Sequence, residues 1–445
     1  MAGGTWTSQS KIRPGAYINF KAVAKGSMTV GDRGVVAMGL PLTWGEEGKL
    51  IEVLSSDLLN GNSRRLIGFT AFDTEAKLLS AALSYCYKAL VYRTNTGGAK
   101  ATCTIGKLIC TAKCSGTMGN KLNVTVSTDS TTSISTVITY LDGGIVDRQK
   151  VTSISELDDN DYIAFTEAES GTFVESAGTP LAGGTDGTAT DATAYPAMFN
   201  LFEMAKWQTF ACLSSDTTIK ANTVTFINKL RDDEGRYVQG VVSKYDAADS
   251  EGIINSVNGA VINNVTYDET AFVAVVAGMT AGASLNESNT AKVVNGATSI
   301  VGELTDAEIK AGLEKGQFII SPSTSGNIKV EQDINSLHNY TQDRNYTFSK
   351  NRVIRTLDEI GTTVKETWED TYMGKVDNNE IGRGLFKSDL AAYATELMRL
   401  NAIQNFETDD IEVSQGTDLD SVVVTWNIQP VDSMEKLYLT VNVSS

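Results

Sequence analysis

The last stretch of the chain, residues 434–445, limits the fold more than any other part of the sequence. Four of its apolar residues alternate with polar ones: Leu437, Leu439, Val441 and Val443. A period of two predicts a β-strand that buries one face. Pro430 separates this strand from the preceding β-patterned run, residues 421–428. Because no hairpin partner follows it, we expect the strand to pair with an earlier strand or with another chain, and we favour addition to another chain's sheet edge.

The size and charge of the chain exclude several classes of protein. A length of 445 residues predicts about three domains, and 41% apolar and 20% charged residues are typical of a soluble globular protein. A net charge of −17 argues against a general surface for nucleic acid or anionic membranes. The longest apolar run, residues 271–279, is too short to span a bilayer. The first residues lack the regions of a signal peptide, so we expect a cytoplasmic product that is not exported by that route.

The five cysteines predict neither disulfides nor a metal centre. An odd count without a signal peptide argues against a disulfide framework. Cys103, Cys110 and Cys114 lie close in sequence, but no histidine is near them and their spacing is not C-x-x-C. We favour their burial as small apolar residues over a metal site.

The first block of the chain predicts an arm followed by an α/β segment. Residues 1–12 are rich in Gly, Ser and Thr, which indicates a flexible arm, and the turn signal Arg13-Pro14-Gly15 leads into a short alternating strand at residues 16–20. We assign residues 1–20 to this N-terminal arm. Residues 21–98 then form an α/β segment that packs with the core.

Within this α/β segment the pattern predicts two strands around one helix. Residues 33–40 have the composition of a buried strand, and residues 89–93 predict another. Asp73 is expected to cap a helix over about residues 74–87, whose apolar side chains share one face.

Residues 99–182 show no convincing helical period and predict a β-sandwich domain. Apolar residues alternate with polar ones at Leu122, Val124 and Val126, and several further short strands follow. Asp142 and Gly143 lie between two β-patterned runs, which is a good hairpin signal.

Beyond the boundary at residues 181–187, helices and strands alternate up to about residue 322. This alternation predicts an α/β layer with a mostly parallel sheet over residues 183–322. In it the apolar run at residues 271–278 is expected to be a strand covered on both faces. Thr305 and Glu308 predict a capping box for a helix that ends before Gly316.

Residues 323–433 predict an α+β domain, and residues 434–445 follow it as the terminal strand. One helical pattern runs near residues 352–373, with a break left open at Gly361 because glycine costs on the order of 1 kcal/mol in a helix. A second helix is expected to begin at Ser388, with its apolar stripe on one face. Two strands precede the terminal one.

The sequence offers little for catalysis or for cation binding. Any triad would need His338, the single histidine, and no convincing Gly-x-Ser-x-Gly elbow accompanies it. The Gly-rich segments at residues 183–187 and 278–283 match neither a P-loop nor G-x-G-x-x-G, so turns and close packing are favoured. Two acidic clusters lack the spacing of a calcium loop and are better explained as solvated loops: Asp232, Asp233 and Glu234, and Asp158, Asp159 and Asp161. We therefore expect no catalytic residue, cofactor or metal ligand.

Several short motifs, in order along the chain, resemble those of contractile tail sheath proteins. This family occurs in myophages, defective prophage particles and R-type bacteriocins. The motifs cover nearly the whole sequence, and the most specific ones are C-terminal. They lie at residues 13–20, 33–37, 181–187, 276–282, 350–358 and 429–438.

The resemblance implies an α/β multidomain fold. It consists of a β-sandwich domain, inserted in or preceding a non-catalytic subtilisin-like α/β domain, and an α+β C-terminal domain that faces a tail tube and ends in an exchange strand. Six subunits would form rings that stack helically around the tube, and contraction would drive the tube through a target envelope without nucleotide hydrolysis. Implied partners are further copies of this chain, the tube protein, and baseplate and tail terminator proteins. Implied localisation is the tail of a virion or phage-like particle assembled in the bacterial host cytoplasm.

The resemblance also implies roles for particular residues. Lys387 and Arg399 flank the helix expected near the tube, and the hinges fall at Pro14, Gly15 and Pro430. The arms that complete neighbouring sheets comprise Ala16, Tyr17, Ile18, Asn19, Phe20, Leu437, Tyr438, Leu439, Val441 and Val443.

Two other classes of protein compete with this interpretation. A secreted subtilisin-like serine hydrolase would share the fold, but the single histidine and the absence of a signal peptide argue against it. A surface-layer or adhesin protein would need β-rich repeats and an export signal, which the sequence lacks.

Overall fold

A computed structural model describes residues 2–4, 15–17, 28, 31, 33–169, 171–189 and 191–443. The chain forms two compact units. The larger unit comprises residues 31–362, 400–404 and 430–445, and the smaller unit comprises residues 1–30, 363–399 and 405–429. The α-helices are α1 Ser55–Asn60, α2 Ser63–Ile67, α3 Lys77–Leu83, α4 Asp191–Phe202, α5 Thr217–Asn228, α6 Phe272–Gly282, α7 Asp306–Glu314, α8 Asn351–Thr367 and α9 Glu380–Arg399. No described helix has both the length and the hydrophobicity needed to cross a membrane.

A seven-stranded sheet forms the centre of the larger unit, and it confirms the prediction of a mostly parallel sheet. Only the last pair of strands in the sheet is antiparallel. The N-terminal block and the later α/β block contribute strands to this same sheet. In spatial order the strands are Gln317–Phe318, Ile253–Ser256, Gln239–Ser243, Thr209–Ala211, Val35–Leu40, Lys88–Arg93 and Leu50–Leu54.

The strand predicted at residues 271–278 is wrong, because this run forms the buried helix α6. The side chain of Asp268 accepts a hydrogen bond from Ala271 N (2.8 Å) and thereby supports the start of the helix. A run that is buried on every side has no polar face, so periodicity alone does not distinguish a helix from a strand. Helix α6 packs closely on α3, since a Cβ added at Gly278 would lie 2.3 Å from the Ala82 carbonyl oxygen.

The segment predicted to be a β-sandwich, residues 99–182, contains two sheets with a shared apolar core. One sheet has the order Gly144–Val151, Ser135–Leu141, Leu122–Thr128 and Ser176–Pro180, and the other has the order Ile163–Glu167, Leu108–Ser115 and Lys100–Ile105. The predicted hairpin turn has positive φ at both central residues, 49° at Asp142 and 81° at Gly143.

The cysteines are free thiols, and all but the half-buried Cys114 are buried. Cys103 and Cys110 are opposite each other on neighbouring strands of the sandwich. Burial raises the pKa of the Cys86 thiol to about 12. The prediction that these residues pack as small apolar side chains agrees with their positions in the cores.

Arg93 holds the junction between the sandwich and the α/β sheet. Its buried guanidinium donates to the carbonyl oxygens of Gly45 (2.9 Å), Ser115 (2.8 Å) and Asp186 (3.1 Å). The Gly-rich segment at residues 183–187 lies at this junction and makes close backbone contacts, as the turn interpretation predicts.

Helix ends were predicted with mixed success. The capping box at α7 is confirmed, since Thr305 and Glu308 exchange the expected hydrogen bonds. Asp73 does not cap α3; its carboxylate accepts from Thr70 N (2.7 Å) and closes the preceding turn instead.

Helix α8 continues through Gly361, where the Tyr237 ring takes the space that a side chain would need. Helix α9 begins at Glu380, eight residues before the predicted start at Ser388, because Asn379 accepts a hydrogen bond from Gly382 N (2.9 Å).

The remaining strands are short and belong neither to the seven-stranded sheet nor to the two sheets of the sandwich. They are Ala2–Gly4, Gly15–Tyr17, Asn95–Thr96, Thr188–Ala189, Gly259–Ile262, Val265–Tyr267, Ala297–Val301, Ile320–Pro322, Ile328–Val330, Ile403–Gln404, Ile411–Gln415, Val422–Trp426 and Gln429–Pro430.

Candidate assembly site

The C-terminal arm, defined here as residues 436–443, leaves its apolar row uncovered. Over this range the described chain forms neither helix nor strand. Between 72% and 90% of the surface of Leu437, Leu439, Val441 and Val443 is exposed. Four apolar side chains at a period of two have the sequence pattern of one face of a β-strand, and here they are exposed.

Immediately before the arm, the chain is held by one carboxylate. Glu435 accepts hydrogen bonds from Thr290 Oγ1 (2.7 Å) and Gln332 Nε2 (2.7 Å) and forms an ion pair with Lys350. Burial alone would raise the pKa of this carboxyl group, but the three donors lower it below its ordinary value of 4.5. Earlier in the segment, Val431 N donates to Ala402 O (3.0 Å).

The predicted N-terminal arm lies mostly outside the described residues. Gly15–Tyr17 forms a strand that pairs in parallel with Ala2–Gly4. This strand includes Ala16 and Tyr17 of the predicted arm. Pro14 and residues 18–20 lie outside the described residues, so their predicted roles remain predictions.

A two-stranded hairpin in the smaller unit offers free sheet edges. Ile411–Gln415 pairs antiparallel with Val422–Trp426, and among the described residues neither strand has a second neighbour. Val423 and Val424 are exposed on this hairpin. Such edges present unpaired backbone donors and acceptors to another strand.

Helix α9 carries the two residues that were predicted to face a tube. Arg399 forms hydrogen bonds to Glu396 through Nε (2.8 Å) and Nη2 (2.6 Å), and Lys387 is half-buried. The same helix exposes Ile381 and Leu385, one turn apart, which the late predicted start of the helix left out. Their spacing of four is the signal that could have identified them.

His338 is positioned by hydrogen bonds of its own loop. Its Nδ1 lies 3.4 Å from Asp249 Oδ1 and 2.9 Å from Ser336 O, and Asn339 Nδ2 lies 3.3 Å from its Nε2. The contacts described for this imidazole include no serine hydroxyl. The arrangement therefore lacks the nucleophile–base hydrogen bond that defines a triad.

The two acidic clusters pair with groups of the chain itself, including Arg344 with Asp232 (4.0 Å) and Arg65 with Asp161 (3.8 Å). Glu234 forms an ion pair with Lys229 (3.0 Å), and Asp159 accepts from Phe165 N (3.0 Å). Among the described residues, no group of three or more His, Cys, Asp or Glu side chains is arranged to hold a metal ion.

Family models match the chain from residue 96 to residue 444 in three successive segments. The phage tail sheath protein beta-sandwich domain matches residues 96–186, the phage tail sheath protein central domain matches residues 187–336, and the phage tail sheath C-terminal domain matches residues 343–444. The chain belongs to the contractile tail sheath protein family, and its role is that of a structural sheath protein.

Related proteins and structures support the same assignment. The phage-like element PBSX protein XkdK of Bacillus subtilis strain 168 is 31% identical over 475 residues, covering 100% of both chains. A sheath tail protein from Desulfitobacterium hafniense has a TM-score of 0.82 at 37% identity, covering 96% of this chain and 99% of its own. One from Listeria innocua has a TM-score of 0.83 at 32% identity, covering 92% and 95%. The contracted helical sheath of the anti-feeding prophage shares the fold, with a TM-score of 0.60 at 11% identity over 97% of this chain and 99% of its own.

Proposed function

We propose that this chain is the repeating subunit of a contractile sheath in a virion or phage-like particle assembled in the host cytoplasm. Six copies form a ring, and rings stack helically around a tail tube between baseplate and tail terminator proteins. Contraction of the sheath drives the tube through a target envelope. The exposed apolar row of the C-terminal arm carries the proposal, because no described residue of the same subunit covers it.

The arm has enough apolar surface and backbone to tie two subunits together. Burying each of its four apolar side chains is worth roughly 1.5–3 kcal/mol. Each backbone hydrogen bond that its strand would gain adds on the order of 1 kcal/mol net. The cost of ordering the eight residues opposes this gain, so the link depends on covering the whole apolar row and pairing the backbone along its length.

A neighbouring subunit offers a sheet that can accept the arm. The hairpin of Ile411–Gln415 and Val422–Trp426 has free edges and exposed valines. Strand addition there would cover the apolar row and satisfy both backbones. The N-terminal strand of a third copy, residues 16–20, would complete the same sheet. Pro14, Gly15 and Pro430 would be the hinges that let linked subunits rotate.

Helix α9 is the proposed surface toward the tube. Lys387 and Arg399 would make few, electrostatic contacts, because contraction has to release the tube. Exposed ion pairs are weak and sensitive to salt, which suits a contact that is made and then lost.

No hydrolytic step is needed for this function. The subtilisin-like arrangement of the α/β unit would serve as a scaffold, and the energy for contraction would come from subunit packing. Rigid-body rotation about interfaces is an established way to convert packing energy into movement. Because His338 has no serine partner among its described contacts, the competing hydrolase function has no structural support.

A truncation tests the proposal while keeping the anchor at Glu435. A chain that ends after Glu435 should fold, show the unfolding midpoint of the full chain, and fail to form rings or tubes in sedimentation and electron microscopy. A subtler variant replaces Leu439, Val441 and Val443 by Thr and should also fail to assemble. The matched control, Thr440→Ser with Asn442→Ser, changes the opposite face of the strand and should assemble normally. Tubes formed by the truncated chain would contradict the proposal.

A further inference from the structure

Glu435 is the one side chain near the start of the arm that is bound on several sides. Its carboxylate receives donors from three separate segments, namely Thr290, Gln332 and Lys350, which we call the socket. The neighbouring Met434 is fully exposed. The described contacts between residues 432–436 and the larger unit are therefore polar: the Glu435 carboxylate binds the socket, and Asp432 interacts electrostatically with Lys350 and Arg352.

Buried groups orient the donors of the socket toward Glu435. Thr290 Oγ1 accepts from Asp333 N (2.8 Å), so its own hydrogen is directed at Glu435. Gln332 Nε2 also lies 3.2 Å from the Tyr346 hydroxyl. Asp333 in turn accepts from Asn351 Nδ2 (2.9 Å) and Arg355 Nη2 (3.3 Å) on helix α8. The donors thus belong to a network that is anchored in the core.

The electrostatics favour an occupied socket. Only 5% of the Lys350 side chain and 11% of the Glu435 side chain are exposed. Without Glu435, the Lys350 ammonium would be left buried without the carboxylate that pairs with it, which is costly. The Lys350 ammonium also lies 5.4 Å from the centroid of the Tyr346 ring, which confines it to this place.

We propose that Glu435 is a releasable anchor that sets the free length of the C-terminal arm. With the socket occupied, the free chain begins at Lys436. With the socket empty, the next described hydrogen bond that holds the chain toward the N-terminus is from Val431 N to Ala402 O, so residues 432–435 join the arm. Four extended residues add about 14 Å of reach.

Between subunits, the anchor would set how far apart two linked copies can move; this step rests on the proposed function. A short arm defines the position of a neighbour, whereas a longer arm keeps the same two subunits linked while they move apart. A polar contact suits this exchange, because it can break and form again without exposing an apolar core.

Spin labelling of the full-length monomer tests the anchor. The nitroxide is attached at Met434→Cys, an exposed position, in a background in which the half-buried Cys114 is replaced by Ser. A second protein carries the label at Asn442→Cys within the arm. We expect slow label motion at position 434 and fast motion at position 442 in the electron paramagnetic resonance spectrum.

Removal of the anchor should abolish this difference. Glu435→Gln keeps the size of the side chain and loses its charge, and the label at position 434 should then move as fast as the label at position 442. Lys350→Met removes the cation that pairs with Glu435 and should likewise speed the motion of the label at position 434. Circular dichroism checks that this variant is folded. Glu303→Gln, which removes an exposed carboxylate elsewhere in the larger unit, should leave the spectrum unchanged.

Two results would overturn the anchor. One is fast motion at position 434 with Glu435 intact, and the other is slow motion that persists in Glu435→Gln. Neither depends on polymerisation, so the outcome is separate from that of the truncation. A monomer with a working anchor whose truncated form still makes tubes would leave the anchor standing and remove the proposed role of the arm.

Discussion

Two apolar stretches of this chain have opposite surroundings. Helix α6, Phe272–Gly282, is buried over nearly its whole length inside the larger unit. The row of Leu437, Leu439, Val441 and Val443 is almost fully exposed. The first stretch is apolar without interruption from Phe272 to Met279, and the second alternates with polar residues. The alternating strands of the sandwich, such as Leu122–Thr128, bury their apolar face in a core of their own subunit, whereas no described residue of the subunit covers the apolar row of the arm.

The largest effect is expected where the buried stretch is changed. Gly278→Ala should lower the free energy of unfolding by about 2 kcal/mol or more, because the new Cβ would lie 2.3 Å from the Ala82 carbonyl oxygen on α3. In the matched control, Gly384→Ala in α9, the new Cβ meets nothing within 4 Å. The control should be neutral or stabilising by up to about 1 kcal/mol. Equal shifts in denaturant unfolding of the two variants would contradict this packing.

The comparison also shows how far the sequence determines the fold. Alternation predicted the sandwich, because strands such as Lys100–Ile105, Leu122–Thr128 and Ser135–Leu141 alternate buried residues with more exposed ones. The parallel sheet followed from the order of helices and strands. Helix α6 was missed because its burial on all sides removes the polar face that reveals a helical period. The start of α9 was missed because Asn379, its cap, precedes a first turn that is not apolar on one face.

The candidate site was likewise predicted only in part from the sequence. The alternating arm is evident from the sequence, since it depends on residues that are adjacent in the chain. The socket around Glu435 is not, because Thr290, Gln332 and Lys350 come from distant segments that only the fold brings together. Long-range polar contacts leave no periodic signal.

A smaller effect on assembly is expected at helix α9. It tests whether this surface, like the arm, serves assembly and not the fold of the subunit. Charge reversal at Lys387 and Arg399 together should weaken assembly around a tube and leave the unfolding midpoint unchanged. Arg399 is exposed and pairs only with Glu396 among its described contacts, so its loss removes little from the fold. Co-sedimentation with tube protein at low and high salt measures the effect. Undiminished co-sedimentation of the reversed protein would refute this placement.

Acid should loosen the arm without changing the core. The folded-state pKa of Glu435 is below the ordinary 4.5, so its contacts favour the charged form. The stabilisation is therefore present above pH 4.5 and is lost as the pH falls through the lower folded-state pKa. The spin label at position 434 should gain mobility over that range, and the label at position 442 should not change. Circular dichroism at each pH separates this release from unfolding.

The smallest effect is expected at His338. Replacement by Ala should leave assembly intact, and neither protein should show peptidase activity or stoichiometric reaction with a serine-directed probe. The reason is that the described contacts of His338 include Asp249 and backbone oxygen but no serine hydroxyl. Activity in the parent protein that disappears in His338→Ala would support the hydrolase alternative instead.

Hydrogen–deuterium exchange at the arm tests the central claim most directly. The backbone amides of residues 436–443 are followed by mass spectrometry in the monomer and in the assembled polymer. They should exchange rapidly in the monomer, where this segment has no strand partner among the described residues, and slowly in the polymer, where a neighbouring sheet would protect them. Slow exchange already in the monomer, or fast exchange that persists in the polymer, would contradict the exchange of arms between subunits.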